Sequence, residues 1–488
     1  MIKLVFLLFI CHAIAYAICR RLRYEPRLTS VFIDSIAVLG VVFITGSALA
    51  VISFTFIYFF FRYRKSSSQD STSSFLGVLL VLTASEALRI HAPGVEYLLD
   101  LSYPRALVIA ILLPLILRHT PRYFQRTPLD TAAIGFFLII IALNFRNPSF
   151  THALRLNTYF CIDCVIPFVA FRRHGAANNG LVVVFVFALL SQALVGITES
   201  FYGWRLYAEV EKLLGYVDSF NIYRNSRDFG LRVGASLQGP SIFALFTALG
   251  ILSIYQLTLD YKRTLALTIS MFIFAAALLF SGSRGGLLSC LTGATLMYLL
   301  NYQKKSKLIF FTPGKMVVIA ITLILVKEVA VGLLENYDQY GTISYRMLLL
   351  SISSKVIIDS PFVGNENYLL DPRLEVLRQG QGIIDIVNYY LAMVLQYGLV
   401  AGALLVFVLA GSITMLLLRL TRLRAQPVPV GVFLVVGWLT ATSVMIFTTS
   451  MRGILETWLW IAVGLGSRSY QQLEADQPRE VVITEVNK

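Results

Sequence analysis

Three arginines stand near the ends of apolar runs, two of them beside glycines. Arg232 lies in Leu231-Arg-Val-Gly-Ala-Ser-Leu-Gln-Gly-Pro240, Arg284 in Ser281-Gly-Ser-Arg-Gly-Gly286, and Arg346 in Ser344-Tyr-Arg346. The stretches 265–280 and 287–300 flank the second, so it is a very short turn between two runs of membrane-crossing character. An arginine inside a bilayer costs roughly 2.5–3.5 kcal/mol on insertion scales, so one placed here needs water, a protein partner or an anion. Guanidinium forks bind phosphate oxygens bidentately and stay protonated. Taken singly, each arginine reads as an interface-anchoring side chain. Converging on one membrane face, next to glycines that allow close backbone approach, the three suit a lipid-linked pyrophosphate and require no metal or cofactor.

The elements that hold them are set by composition. The chain has 488 residues, of which 57% are hydrophobic and 14% charged, and its mean hydropathy is +0.74. Soluble domains run nearer 45–50% apolar and about 25% charged, so a globular enzyme with a single anchor is excluded. The expectation is an all-α polytopic bundle of about 12–14 transmembrane spans. Apolar runs lie near 3–19, 34–61, 75–90, 104–118, 130–145, 156–171, 180–198, 240–258, 264–281, 286–301, 314–333, 388–418, 428–449 and 453–467. The first resembles a signal peptide but reads better as an uncleaved span, since many others follow. Cys161-x-x-Cys164 falls inside a span and reads as two small buried hydrophobes on one helix face. Asp163 and Glu86, costly in or near spans, read as buried hydrogen-bond partners, and Lys327 and Glu328 as surface-proximal.

Net charge is +14. In a membrane protein this excess marks cytoplasmic loops, and no nucleic-acid partner is expected. Basic clusters at Arg62/Arg64/Lys65, Arg118/Arg122/Arg126, Arg172/Arg173, Lys262/Arg263, Lys304/Lys305/Lys307 and Arg419/Arg422/Arg424 fall on one face with these spans, as do both termini. Arg20, Arg21, Arg23 and Arg27 disagree, which makes the long 34–61 run a candidate broken hairpin. The opposite face receives the Arg284 turn and two long segments carrying short helices, 199–239 and 334–387. These separate transmembrane blocks 1–198, 240–333 and 388–467. The serine-rich stretch 66–74 reads as a flexible loop and 468–488 as a disordered cytoplasmic tail. Leu206, Val210, Leu213 and Leu214 share one helix face, suiting a helix in the membrane interface or one packed on the bundle.

Arg232-x-Gly234 with Gly239-Pro240, Ser281-x-Ser-Arg-Gly285, then Arg346, Pro361 and Gly364, and finally Asn388-Tyr-Tyr-Leu391 with Gly398 and Gly402 form an ordered set across roughly 180–467. In that order it resembles the O-antigen ligase and polymerase family of bacterial inner membranes. The resemblance implies glycosyl transfer on the periplasmic face from a glycan carried on undecaprenyl pyrophosphate, within membrane lipid, with flippase and chain-length regulator proteins as partners. It implies that Arg284 and Arg232 hold the donor pyrophosphate, that Arg346 does the same or orients its loop, and that Asn388 belongs with the substrate-binding residues.

The sequence departs from the ligases at one place. They carry a histidine directly before the asparagine that matches Asn388; here that residue is Val387, and no histidine follows His174. A histidine base is therefore lacking in this loop. Of the nearby carboxylates Glu366, Asp371, Glu375 and Asp385, the last lies closest to the vacant position and is the expected catalytic base, although a charge at a helix start explains it equally. The missing histidine favours an O-antigen or exopolysaccharide polymerase over a ligase acting on lipid A-core. A transporter or flippase is the non-enzyme alternative. Such proteins show paired interrupted spans and mid-membrane charges, whereas here no internal repeat is visible and the charges gather at one face.

Overall fold

The computed structural model describes residues 2–22, 26–82, 88–92, 95–118, 126–215, 226–227, 230–237, 239–260, 264–306, 342–378, 383–423, 431–450 and 453–475. The expected span 314–333, with Lys327 and Glu328, lies outside these residues, as does Glu86.

The architecture is all-α. Its helices are α1 (Ile2–Leu22), α2 (Pro26–Thr45), α3 (Ala48–Tyr63), α4 (Ser68–Leu79), α5 (Tyr103–Leu107), α6 (Leu113–Arg118), α7 (Pro128–Asn144), α8 (Phe150–Phe160), α9 (Ile166–His174) and α10 (Asn179–Tyr202). They continue with α11 (Leu206–Leu213), α12 (Pro240–Asp260), α13 (Leu265–Phe280), α14 (Arg284–Ser306), α15 (Thr342–Asp359), α16 (Tyr389–Arg422), α17 (Gly431–Thr448) and α18 (Ile454–Ala475). Among the described residues, seven helical stretches are long and apolar enough to cross a membrane. Single π turns join α5 to α6 (Val108–Leu112) and α8 to α9 (Cys161–Val165). Two short antiparallel hairpins, 88–101 and 226–231, are the strands seen.

The core is aromatic around α10, α17 and α18. Phe185 stacks on Trp458 with ring centroids 4.9 Å apart, and Trp438 meets Trp458 edge-on at 5.4 Å. Small residues let helices close up. A Cβ on Gly77 would fall 2.4 Å from Val31, and one on Gly286 2.3 Å from the Ala244 Cβ. Such contacts supply the dispersion that holds helices together where lipid removes the hydrophobic drive.

The discordant N-terminal arginines are resolved by the break at Gly46, which adopts φ +54° and lies against Leu213 of α11. The 34–61 run is thus two helices folded back on each other. Lys3 sits over the Tyr202 ring at the end of α10, and Cys11 approaches Thr198. So α1 starts at the loop end of the bundle, and Arg20 and Arg21 join the basic end with Arg62. This corrects the reading that placed the start of the chain with the basic loops; one unrecognised crossing reverses everything before it.

Two further expectations change. The serines of 66–74 form α4, in which Ser71, Thr72, Ser73 and Ser74 are buried. Ser67 caps the helix, while Ser71 and Thr72 donate to the carbonyls of Ser67 and Ser68 at 3.1 Å. Serines that satisfy their hydroxyls on the preceding turn pack as small residues, so the helix here begins at Ser68, ahead of the apolar run 75–90. The tail begins later than 468, because α18 runs to Ala475 and Gln471 accepts from Arg172 at 2.7 Å. Helix α11 buries Leu206, Tyr207, Ala208 and Val210, and the Tyr207 hydroxyl donates to the Val81 carbonyl. It packs on the bundle.

Candidate active site

At the loop end, Gly282 takes φ +58° and reverses the chain after α13. The Ser283 hydroxyl then accepts from the Gly286 N–H, starting α14 with Arg284 as its first residue. Gly285 and Gly286 seat that turn, since a Cβ on Gly285 would meet the Thr448 hydroxyl at 2.2 Å. The opening motif is therefore a helix start wedged between α12 and α17. Arg284 is exposed, and among the described residues it makes no hydrogen bond or ion pair. A cation at a helix N-terminus faces the positive end of the peptide dipoles, an unfavourable placement by roughly 0.3–1 kcal/mol.

Arg232 and Arg346 come to the same place. The Arg232 Nε donates to the Ser281 carbonyl at 3.3 Å, and its side chain lies beside Gly282. Arg346, in the first turns of α15, donates to the Thr448 carbonyl at 3.0 Å. Although its outer atoms are exposed, partial withdrawal from water and then the nearby Arg284 charge push its pKa below the ordinary guanidinium value. Among the described residues, neither Arg284 nor Arg346 has a carboxylate within ion-pair distance.

The Arg232 segment is held by a residue the sequence did not single out. Glu199, buried at the end of α10, accepts from the Leu206 and Ala235 N–H groups, each at 3.0 Å, and from Gly234 at 3.5 Å. Ala235 is kept at φ +47°, and the Ser236 hydroxyl donates to the Leu80 carbonyl at 2.7 Å. A glutamate directly after the apolar run 180–198 is the signal that could have found it.

The second long loop is latched into a break in α16. Gly398 has φ +84° and Gly364 φ +65°. The Leu399 N–H donates to the Pro361 carbonyl at 2.7 Å and the Asn365 N–H to the Leu395 carbonyl at 2.8 Å. A Cβ on Gly398 would sit 2.1 Å from the Phe362 oxygen. Arg146 donates across the junction to the carbonyls of Val363, Gly364 (3.0 Å) and Gln396 (2.9 Å). Pro361, Gly364 and Gly398 thus serve loop placement.

The remaining expected residues make contacts of their own. The Asn388 side chain accepts from the Leu391 N–H at 3.1 Å and caps α16. The Asp385 carbonyl accepts from the Tyr345 hydroxyl at 2.8 Å, and one of its carboxylate oxygens is buried with no hydrogen-bond partner among the described residues. Its neighbours Ile384 and Ile386 line a cavity of about 290 Å³; Asp385 does not. That cavity also carries Arg105, Asp163, Tyr159, Tyr389, Tyr397 and Glu456. Asp163 is the buried partner expected of it, bridged to Arg105 at 2.7 Å. Cys161 and Cys164 are free thiols in the π turn beside it.

Fold and site together define a multi-pass helical membrane protein with a cationic cluster where its two long loops meet. Residues 269–406, which include Arg284, Arg346, Asp385 and Asn388, match the family model described as O-Antigen ligase. Over that stretch the chain is similar to the O-antigen ligase/polymerase family of membrane proteins. No curated protein matches the chain.

Proposed function

We propose that the protein is a polysaccharide polymerase. It joins undecaprenyl-pyrophosphate-linked repeat units, in O-antigen or exopolysaccharide synthesis, on the periplasmic face of the bacterial inner membrane. The observation that carries this reading is the placement of Arg284 at a helix start, beside Arg346 and with no carboxylate among the described residues. Two cations brought together at the positive end of a helix favour an anion, and the helix N–H groups add donors to it. The basic end takes the cytoplasmic side by the charge bias of short loops.

The acceptor hydroxyl attacks the anomeric carbon of the donor while the bond to pyrophosphate breaks. Charge builds on the leaving pyrophosphate, where Arg284 and Arg232 stabilise it and Arg346 completes the cluster. Direct displacement inverts the anomeric carbon. Asn388 contributes by fixing the start of α16, and with it the wall of the cavity.

Transfer to lipid A-core is the second reading, favoured by the description of the matched family. Val387 in place of the ligase histidine weighs against it. Purified protein incubated with lipid-linked repeat units distinguishes the two. A ladder of products is expected, whereas transfer only to added lipid A-core would overturn the polymerase reading.

A further inference from the structure

The cavity beside the arginine cluster contains a carboxylate that the proposed reaction has not yet used. Its walls come from α5, α7, α8, α16, the loop before α16, and the start of α18. Most of its polar groups are already satisfied. Arg105 grips Asp163 through two nitrogens, at 2.7 to 3.1 Å, and lies over the Tyr159 ring at 4.0 Å. The Tyr159 hydroxyl accepts from the Asp100 N–H, and the Tyr397 hydroxyl donates to Asn144 at 3.0 Å. Glu456 is different. It lines the same cavity, is only partly exposed, and its carboxylate has no hydrogen-bond or ion-pair partner among the described residues. It lies in the first turn of α18.

Size and lining fit a saccharide. About 290 Å³ is at the small end of ligand clefts, sized for a sugar unit rather than a lipid carrier. Tyr159, Tyr389 and Tyr397 share the lining with polar groups, a mixture suited to the apolar and hydroxylated faces of a pyranose. The cavity also abuts the cationic cluster. Ser450 is on its wall, and two residues earlier the Thr448 carbonyl receives Arg346. Two residues of chain span at most about 7 Å, on the order of one sugar ring.

We infer that this cavity is the acceptor-saccharide site and that Glu456, not Asp385, is the general base. The inference rests on the polymerase reading above. The acceptor hydroxyl oxygen forms the new bond to the anomeric carbon, and its proton passes to the Glu456 carboxylate. The anomeric carbon–oxygen bond breaks, and its electron pair leaves with the pyrophosphate held at Arg284. Glu456 therefore occupies the role left vacant at Val387, contributed from a different helix.

The test uses the full-length protein in detergent with two probes, undecaprenyl pyrophosphate for binding and extracted lipid-linked repeat units for transfer. Glu456→Gln should bind undecaprenyl pyrophosphate within twofold of the unaltered protein and lose transfer by about 10²–10⁴-fold. Ala392→Leu, which narrows the cavity without altering a charge, should raise the KM for acceptor and leave undecaprenyl pyrophosphate binding unchanged. Transfer by Glu456→Gln within threefold of normal overturns the base assignment. So does loss of transfer in Asp385→Asn with Glu456→Gln active. An unchanged acceptor KM in Ala392→Leu overturns the acceptor site, and this arm remains informative if Glu456→Gln fails to fold. Arg284→Ala separates the two levels. If it binds undecaprenyl pyrophosphate normally, the donor reading itself fails; if it does not bind while Glu456→Gln transfers normally, only the present inference fails.

Discussion

Arg172 and Arg284 carry the same side chain at opposite ends of the bundle, in opposite electrostatic settings. Arg172 lies in the last turn of α9, where the helix dipole favours a cation. It is 1% exposed, and its Nε and a terminal nitrogen meet the two Asp130 oxygens at 2.7 and 2.8 Å. The Ser467 hydroxyl donates to the same carboxylate at 2.6 Å, so α7, α9 and α18 are tied together. Arg284 has the unfavourable helix end, a second arginine nearby and no carboxylate among the described residues. The first arrangement is complete without a ligand; the second is completed by an anion. Arginine count alone says little about function in such a protein, whereas the presence or absence of a matching carboxylate says much.

Five variants test that contrast and the supports of the cationic site, in decreasing order of expected effect on transfer or stability. Arg284→Ala should lower transfer by about 10²–10³-fold, as removal of a charge-stabilising donor does, while the yield of folded protein stays normal. Normal polymer length from this variant would make Arg284 structural and erase the comparison. Arg172→Ala should do the reverse, destabilising the fold by about 3–5 kcal/mol because it strands Asp130 in the interior. Thermal unfolding in detergent reads this loss, and activity per folded molecule should persist. The double variant Arg172→Met with Asp130→Leu should recover most of the loss, since an apolar pair leaves no stranded charge.

Glu199→Gln tests whether the cationic site depends on its buried support. An amide presents one oxygen where two now accept three backbone N–H groups. An unpaired buried donor costs about 1–3 kcal/mol, so undecaprenyl pyrophosphate affinity should fall roughly tenfold through Arg232. Unchanged affinity would detach Arg232 from the donor site. Gly398→Ala acts on the loop latch, and its effect on transfer should be the smallest of the five. A left-handed alanine costs about 1–2 kcal/mol before the clash with Phe362 is counted. Limited proteolysis should then cut the 361–378 loop faster, and unaltered protection would show that the latch does not hold the loop.

The local signals in the sequence located the arginine cluster well, because the types of its residues are unusual near span ends. Arg232, Arg284 and Arg346 needed only sidedness to be grouped, and the structure brings them together. The glycines flanking them were legible as well, since left-handed turns and helix contacts restrict the residue type. Sidedness of the first helices was not legible, because the Gly46 break sits inside a continuous apolar run with no charge to mark it. The serines of α4 were misread for a related reason: hydroxyls bonded to their own helix pack like small apolar groups, yet in a sequence they look like loop.

Composition, charge bias and the arginine–glycine turns by themselves determined a multi-pass helical protein with a cationic site at one end. Those properties depend on transfer between water and lipid, which is a sum over single residues and short segments. Which arginines are neutralised was decided only by tertiary structure. Arg172 finds Asp130, Arg105 finds Asp163, and Arg146 finds three carbonyls, in each case across long stretches of sequence. The same holds for Glu456, 69 positions beyond Val387 and on the wall formed beside it. A pairing between distant helices costs nothing in local pattern and leaves no trace there, so it becomes visible only once the helices pack.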